Sequence, residues 1–290
     1  MKPETRYRKF TLGFSPCPND TFIFDALVNH KIDTHGIEFD VHMEDVQKLN
    51  ECAIAGQLDF SKISYGVLPL VTDQYTVLES GSALGRGVGP LLISKKEIAP
   101  GEESVTPLKI AIPGENTTAH MLFSLAFPRA ANKVFLVFNE IEEAVLSGAV
   151  DAGVIIHENR FTYKEKGLRK LMDLGEYWEK HTKFPIPLGG IVAHNRIDTA
   201  TAMEVDTLIK KSAEYAFSHY PQLSPYVKIH AQEMSPQVMK QHIDLYVNDY
   251  SLWLGEDGKQ AVIKLLEVYH QINPGRSFKE TGIFIGQEQH

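Results

Sequence analysis

The run Ala152-Gly153-Val154-Ile155-Ile156 constrains the fold more than any other stretch of this chain. It is short and apolar, and it stops abruptly at His157-Glu158-Asn159-Arg160. Val154, Ile155 and Ile156 lack the apolar–polar alternation of a half-buried strand. They therefore predict a strand covered on both faces, as in the parallel sheet of an α/β protein. In open sheets of that kind, ligands bind in the crevice beyond the carboxyl ends of the strands. An imidazole at such an end, with an unperturbed pKa of ~6.5, is placed for proton chemistry. His157 is thus the first candidate catalytic group. A lone histidine at a strand end is more often a hydrogen-bonded structural residue, so its neighbours in space must decide.

The rest of the chain alternates in the same way. Strand patterns at residues 10–14, 37–43, 58–60, 76–78 and 90–94 are interleaved with helical spacing from about Thr21 and over residues 46–55. The segment 95–106 is charged, contains Pro100-Gly101 and reads as a loop. A second series follows, with strands at 109–113, 134–138 and 154–156 and helices from Thr117 and over 141–147. Leu188-Gly189-Gly190-Ile191-Val192-Ala193 reads as a returning strand. Helical patterns then cover 202–219, 236–246 and 258–270. A first lobe (residues 1–93 and 194–290), an inserted α/β lobe (94–193) and two hinge crossings form the layout of a type II periplasmic-binding-protein-like fold. Closure around a ligand is a known motion of that class.

With 290 residues the chain can bury a large core. Its net charge of −8 and pI near 5.8 leave no excess of positive charge for nucleic acid or an anionic membrane. The first nine residues are basic but no apolar stretch follows them. No secretory signal or membrane span is expected, and the cytoplasm is the natural location. Cys17 and Cys52 are too few for a disulfide framework and read as reduced thiols. The twelve histidines show no ligand spacing, so no metal is expected.

Three further segments sit at predicted strand ends. In Ser15-Pro16-Cys17-Pro18-Asn19-Asp20-Thr21-Phe22 the prolines restrict the turn, and Asn19 or Asp20 is suited to cap the next helix. Ser15 and Asn19 would then face the cleft. Lys62 and Ser64 share a face of an extended segment, and an ammonium beside a hydroxyl suits a carboxylate. In Pro113-Gly114-Glu115-Asn116-Thr117-Thr118-Ala119, Asn116 or Thr117 caps a helix whose first amides attract anions. The Gly-rich stretch 81–89 has no helix behind it to make a phosphate cradle and reads as a flexible loop. Neither a P-loop, a dinucleotide fingerprint nor a Gly-x-Ser-x-Gly elbow is present.

Together, Ser15-Pro16-Cys17-Pro18-Asn19-Asp20-Thr21-Phe22, Lys62-Ile63-Ser64-Tyr65, Pro113-Gly114-Glu115-Asn116-Thr117-Thr118-Ala119 and Ile156-His157-Glu158-Asn159-Arg160-Phe161-Thr162-Tyr163 resemble the 1,4-dihydroxy-6-naphthoate synthase family of the futalosine route to menaquinone. The order and spacing fit over nearly the whole chain, Leu188-Gly189-Gly190 included. The resemblance implies a cytoplasmic carbon–carbon lyase acting on cyclic dehypoxanthinyl futalosine, a small carboxylate-bearing substrate, without redox or metal cofactor. It implies His157 as the catalytic base, with Lys62, Ile63, Ser64, Thr118 and Ala119 as substrate-binding residues. Ser15, Asn19, Thr117, Leu188, Gly189 and Gly190 complete the expected lining. Glu158 or a backbone carbonyl is in place to orient the imidazole, though the residue pattern favours a structural role for Glu158. The neighbouring readings are a chorismate dehydratase-like enzyme and a non-catalytic cytoplasmic binding protein, since the fold is widely shared.

Overall fold

A computed structural model describes residues 8–99, 101–231, 235–276, 278–279 and 281–287. The sequence readings on residues 1–7 and on Pro100 lie outside the described residues. The first elements are β1 (Arg8–Phe14), α1 (Pro18–Val28), β2 (Ile37–Met43), α2 (Val46–Ile54), β3 (Phe60–Ser64), β4 (Tyr75–Val77) and β5 (Ala83–Gly85). Next come β6 (Leu91–Ser94), α3 (Glu102–Val105), β7 (Ile110–Ile112), α4 (Thr118–Ala126), β8 (Lys133–Phe135), α5 (Ile141–Ser147), β9 (Ala152–Ile155), α6 (Asn159–Thr162), β10 (Arg169–Asp173) and α7 (Leu174–Thr182). The chain returns through β11 (Ile186–His194) into α8 (Thr199–His219), α9 (Pro225–His230), α10 (Pro236–Tyr246), α11 (Asp249–Leu252) and α12 (Gly255–Ile272).

These strands form two sheets. The first has the order β2-β1-β3-β11-β4, with β5 also on β11; the second runs β10-β6-β9-β7-β8. Leu91–Ser94 therefore pairs within the second sheet and Ile186–His194 within the first. The chain passes between sheets over residues 86–90 and again over 174–185. Both sheets are mixed, where the sequence predicted parallel pairing around His157. β9 is parallel to β7 but antiparallel to β6, and β11 is antiparallel to β3, β4 and β5. The apolar run at 154–156 reports burial on both faces, which a mixed sheet satisfies equally well.

The Gly-rich stretch is more ordered than its composition predicts. Ala83–Gly85 is β5, paired with β11. The Gly87 and Gly89 carbonyls both accept hydrogen bonds from the Arg160 guanidinium, which also pairs with Asp173 at 3.0 Å. Gly89 is required by close approach, because a Cβ there would lie 2.2 Å from Cα of Gly175. Composition marks a segment that bends; it does not show that an arginine 70 residues on will clamp it. Within 95–106, the four residues of α3 form a short helix, started by the acidic pair Glu102-Glu103 after Gly101.

The apolar cores follow from this layering. Leu12, Phe14, Phe24, Ile37 and Phe60 of the first sheet and α1 pack against Val205, Leu208 and Ile209 of α8. A larger cluster joins Ile63, Tyr65 and Val77 to Ile110, Ile112 and Val154 through α4, α7 and α12. At roughly 25 cal/mol per Å², such aromatic and branched side chains each contribute about 1.5–3 kcal/mol when buried. Among the described residues no helix is long and apolar enough to cross a membrane.

Candidate active site

The carboxyl ends of four strands open into one cavity. β1 and β3 are parallel, as are β7 and β9. Ser15–Asp20 and Lys62–Ser64 thus arrive from one sheet, and Thr117–Ala119 and His157 from the other. β11 runs against β3 with Gly189 opposite Ser64, so its first half reaches the same edge. The cavity is lined by Ser15, Asn19, Lys62, Ile63, Ser64, Thr117, Thr118, Ala119, His157, Leu188 and Gly189, and encloses about 710 Å³ including its mouth. That is in the usual range for small-molecule clefts. Of the residues expected to line it, Gly190 stands apart. A Cβ there would fall 2.4 Å from the Tyr65 hydroxyl, so its lack of a side chain accommodates that ring.

The turn after β1 is held differently from the sequence expectation. Neither Asn19 nor Asp20 caps α1; the cap position is Cys17, with Pro18 at the first helical residue. Pro18 needs no amide partner there, which lets the helix start three residues before Thr21. The Asp20 carboxylate instead turns back. It accepts from the Ser15 amide at 3.1 Å and from the Ser15 hydroxyl at 2.7 Å on Oδ2. On Oδ1 it accepts from Asn19 Nδ2 at 2.8 Å and faces Lys62 Nζ at 3.3 Å. Lys62 also donates to the Gly81 carbonyl at 2.8 Å. This buried charge is therefore paired and hydrogen-bonded, as a charge taken out of water must be. The Gly81 carbonyl takes one ammonium donor, while Asp20 faces the group as an ion pair.

Across the cavity, Thr117 caps α4 as predicted, its hydroxyl accepting from the His120 amide at 3.2 Å and donating to the Gly114 carbonyl at 2.9 Å. The Thr118 hydroxyl donates to Leu188 O at 2.8 Å and accepts from the Gly66 amide at 2.9 Å. Both hydroxyls serve the backbone. The start of a helix leaves its first amides without intrahelical partners. Those of Thr118 and Ala119, both lining the cavity, are the donors this end supplies.

His157 follows β9 with a left-handed backbone, φ 55°. For a residue with a Cβ that conformation costs about 1–2 kcal/mol, which the surrounding packing must offset. Its ring meets the edge of Phe138 at 5.0 Å and lies parallel to the His242 ring, 5.9 Å away with 6° between planes. Burial pushes its pKa down to about 4; Asp20 opposes that shift and Lys62 adds to it. The imidazole is therefore neutral at physiological pH. Glu158 is buried, with Oε2 3.8 Å from Nδ1 of His242.

His242 and Tyr246, one turn apart on α10, also line the cavity, and the sequence reading missed both. His242 is fully buried, and its Nε2 lies 2.9 Å from Asn19 Oδ1. It is separated from His157 by 85 residues, and no local pattern links them. A histidine and a tyrosine four apart on an amphipathic helix were the available signal. The same folding brings ligand atoms of Cys17, His157 and Glu158 within 4.8 Å of one another, which sequence spacing did not disclose. Burial pushes the Cys17 thiol well up, and Glu158 adds to this. Both cysteines are free.

Two sheets meeting at a small-molecule cavity define a two-lobed α/β protein of the periplasmic-binding-protein class. A solved structure of protein AF1704 from Archaeoglobus fulgidus superposes with a TM-score of 0.85 at 30% identity, covering 91% of this chain and 98% of that one. The aliphatic sulphonate binding protein SsuA of Escherichia coli shares the fold at a TM-score of 0.66 and 11% identity, over 97% of this chain and 92% of its own. A family model described as menaquinone biosynthesis matches residues 10–271. The 1,4-dihydroxy-6-naphthoate synthase of Thermus thermophilus is 41% identical over 254 residues, 88% of this chain and 91% of the relative. Its counterpart from Streptomyces coelicolor is 42% identical over 260 residues, 88% and 90% of the two chains. The chain belongs to the 1,4-dihydroxy-6-naphthoate synthase family of menaquinone biosynthesis, and it is an enzyme of the lyase class.

Proposed function

We propose that this enzyme converts cyclic dehypoxanthinyl futalosine to 1,4-dihydroxy-6-naphthoate, with His157 taking the first proton. The observation that carries this reading is a neutral imidazole and a set of anion donors lining one cavity. The substrate carboxylate would dock on the Ser64 hydroxyl and the amides of Thr118 and Ala119, with Lys62 supplying positive potential. Its ring system would lie against Val46, Leu49, Val88, Ile156 and Leu188, which make much of the remaining wall. Removal of the proton from a hydroxyl β to the ketone lets that oxygen form a new carbonyl as the C–C bond breaks. The electron pair of the broken bond passes into an enolate at the ketone, and the sugar-derived fragment leaves as a carbonyl compound. Aromatisation of the new ring pulls the elimination forward.

An imidazole of low pKa is a weak base but is always in its accepting form. The Asp20 carboxylate, which favours the charged ring, offsets the cost of the imidazolium as the proton arrives. Closure of the two sheets about residues 86–90 and 174–185 would exclude water during this step. A cytoplasmic location and a reaction without cofactor go with this reading.

The test is to incubate the protein with cyclic dehypoxanthinyl futalosine and follow naphthoate absorbance. Turnover is expected, and none from a folded sample sinks the proposal. His157→Ala should lose about 10²–10⁴-fold in kcat, the usual worth of a general base. It should still bind product. Near wild-type turnover would remove His157 from the base role.

A further inference from the structure

We propose that His242 is the positioning residue for His157: anchored by Asn19 as an uncharged ring, it forms the flat wall that holds the His157 imidazole in place. This rests on the lyase reading of the cavity.

The hydrogen-bond chain fixes the tautomer. Asp20 Oδ1 can only accept, so the Asn19 atom 2.8 Å from it is the amide nitrogen. Asn19 then presents its oxygen to His242 at 2.9 Å, and that oxygen also can only accept. Nε2 of His242 therefore carries its proton and donates it. The bond is made in full burial, between a ring with no solvent exposure and an amide at 6%. Lys62, Asp20, Asn19 and His242 thus form one continuous chain from β3 through the start of α1 to α10.

The end of that chain is a ring face. His157 and His242 are parallel to within 6° at 5.9 Å, and Phe138 also meets the His157 ring, at 5.0 Å and steeply inclined. Tyr246 in turn packs on His242 at 4.7 Å. His157 needs such packing, because a left-handed backbone at a non-glycine residue persists only where its surroundings over-determine it. Charge matters as well as shape. The charged and titratable groups that face His157 are Asp20, Asp45 and Lys62, with Cys17 and Glu158 beside it. Burial, and the proximity of His157, hold His242 well below the ordinary histidine range. A neutral wall adds no positive charge against the proton that His157 receives.

The experiment compares wild type with His242→Ala and His242→Phe, the second keeping a flat uncharged ring. Turnover is measured against substrate concentration, and His157 is titrated by NMR in isotope-labelled protein. For His242→Ala, kcat should fall about 10–100-fold with KM within about threefold, a loss of orientation rather than of binding. The His157 titration should move up toward the ordinary value of ~6.5 as water enters. His242→Phe should recover most of kcat and hold the His157 titration near that of wild type. If His242→Ala does not fold, His242→Gln carries the same two readouts, since it keeps a donor for Asn19 and removes the ring face. A folded Ala or Gln variant with kcat within twofold and an unmoved His157 titration overturns the proposal. So does a Phe variant as impaired as Ala. If the wild type does not turn the substrate over, the lyase reading alone fails, and the His157 titration still decides whether His242 positions it.

Discussion

At His157, burial wins over the nearby carboxylate. Asp20 pulls the pKa up, yet desolvation takes it down to about 4. As the proposed base, His157 must be unprotonated to act, so the acidic limb of kcat/KM should lie near pH 4–5 rather than near 6.5. A limb at 6.5 would show that the free enzyme hydrates this ring. Stability should follow the same group. The unfolded chain takes its proton at ~6.5 and the folded chain only near 4, so the unfolded state binds more protons between these values. Stability is fully present above pH 6.5 and is lost as pH falls toward 4, with His242 acting in the same direction. Urea midpoints at pH 7 and 4.5 should show this loss. It should be smaller in His157→Asn, whose side chain tolerates the left-handed backbone.

The elements differ in how far their own residues determine them. The bounds of β2, α5 and α10 coincide with the sequence pattern, because clear periodicity and Pro236 at a helix start act locally. α1 begins at Pro18, which needs no amide partner, and Asp20 is drawn back both to nearby Ser15 and to distant Lys62 on β3. β5 exists because β11 offers it a partner, and His242 joins the site because α10 packs beside α1. The start of α4 is placed in the same way. Gly66 lies so close that a Cβ there would meet Thr117 C and Thr118 N, both backbone atoms, at 2.6 Å. Gly66→Ala should therefore shift the helix start and its amides. With strain of about 1–3 kcal/mol, product affinity should weaken about 5–150-fold while the far-UV spectrum is unchanged. Unaltered affinity by calorimetric titration would mean that this helix start does not hold the ligand.

On the scale of the molecule, the proposed anion cleft is set in a chain of net charge −8. Local donors must therefore outweigh the overall field, and added salt should weaken binding only modestly. A fall in product affinity of more than tenfold between 50 and 300 mM salt would point to an exposed site instead. Because residues from both sheets line the cavity, a bound ligand should stabilise the whole chain. At 100 times its dissociation constant, the naphthoate should add about 2.7 kcal/mol. For a chain of this size that corresponds to a rise in Tm of roughly 4–5 °C. Two separate melting steps, with only one moved by ligand, would show that the sheets unfold independently.

The Asp20 carboxylate answers to Ser15, Asn19 and Lys62 at once, so the polar wall is indivisible. Changing one member strands the others in a buried place. Val46, Leu49, Val88 and Ile156, on the apolar wall, carry no such mutual obligations. Adaptation to a larger or smaller ring system, whether by selection or by an engineer, is therefore channelled to those four positions. The chemistry is inherited as a block, while the shape of what it acts on stays negotiable.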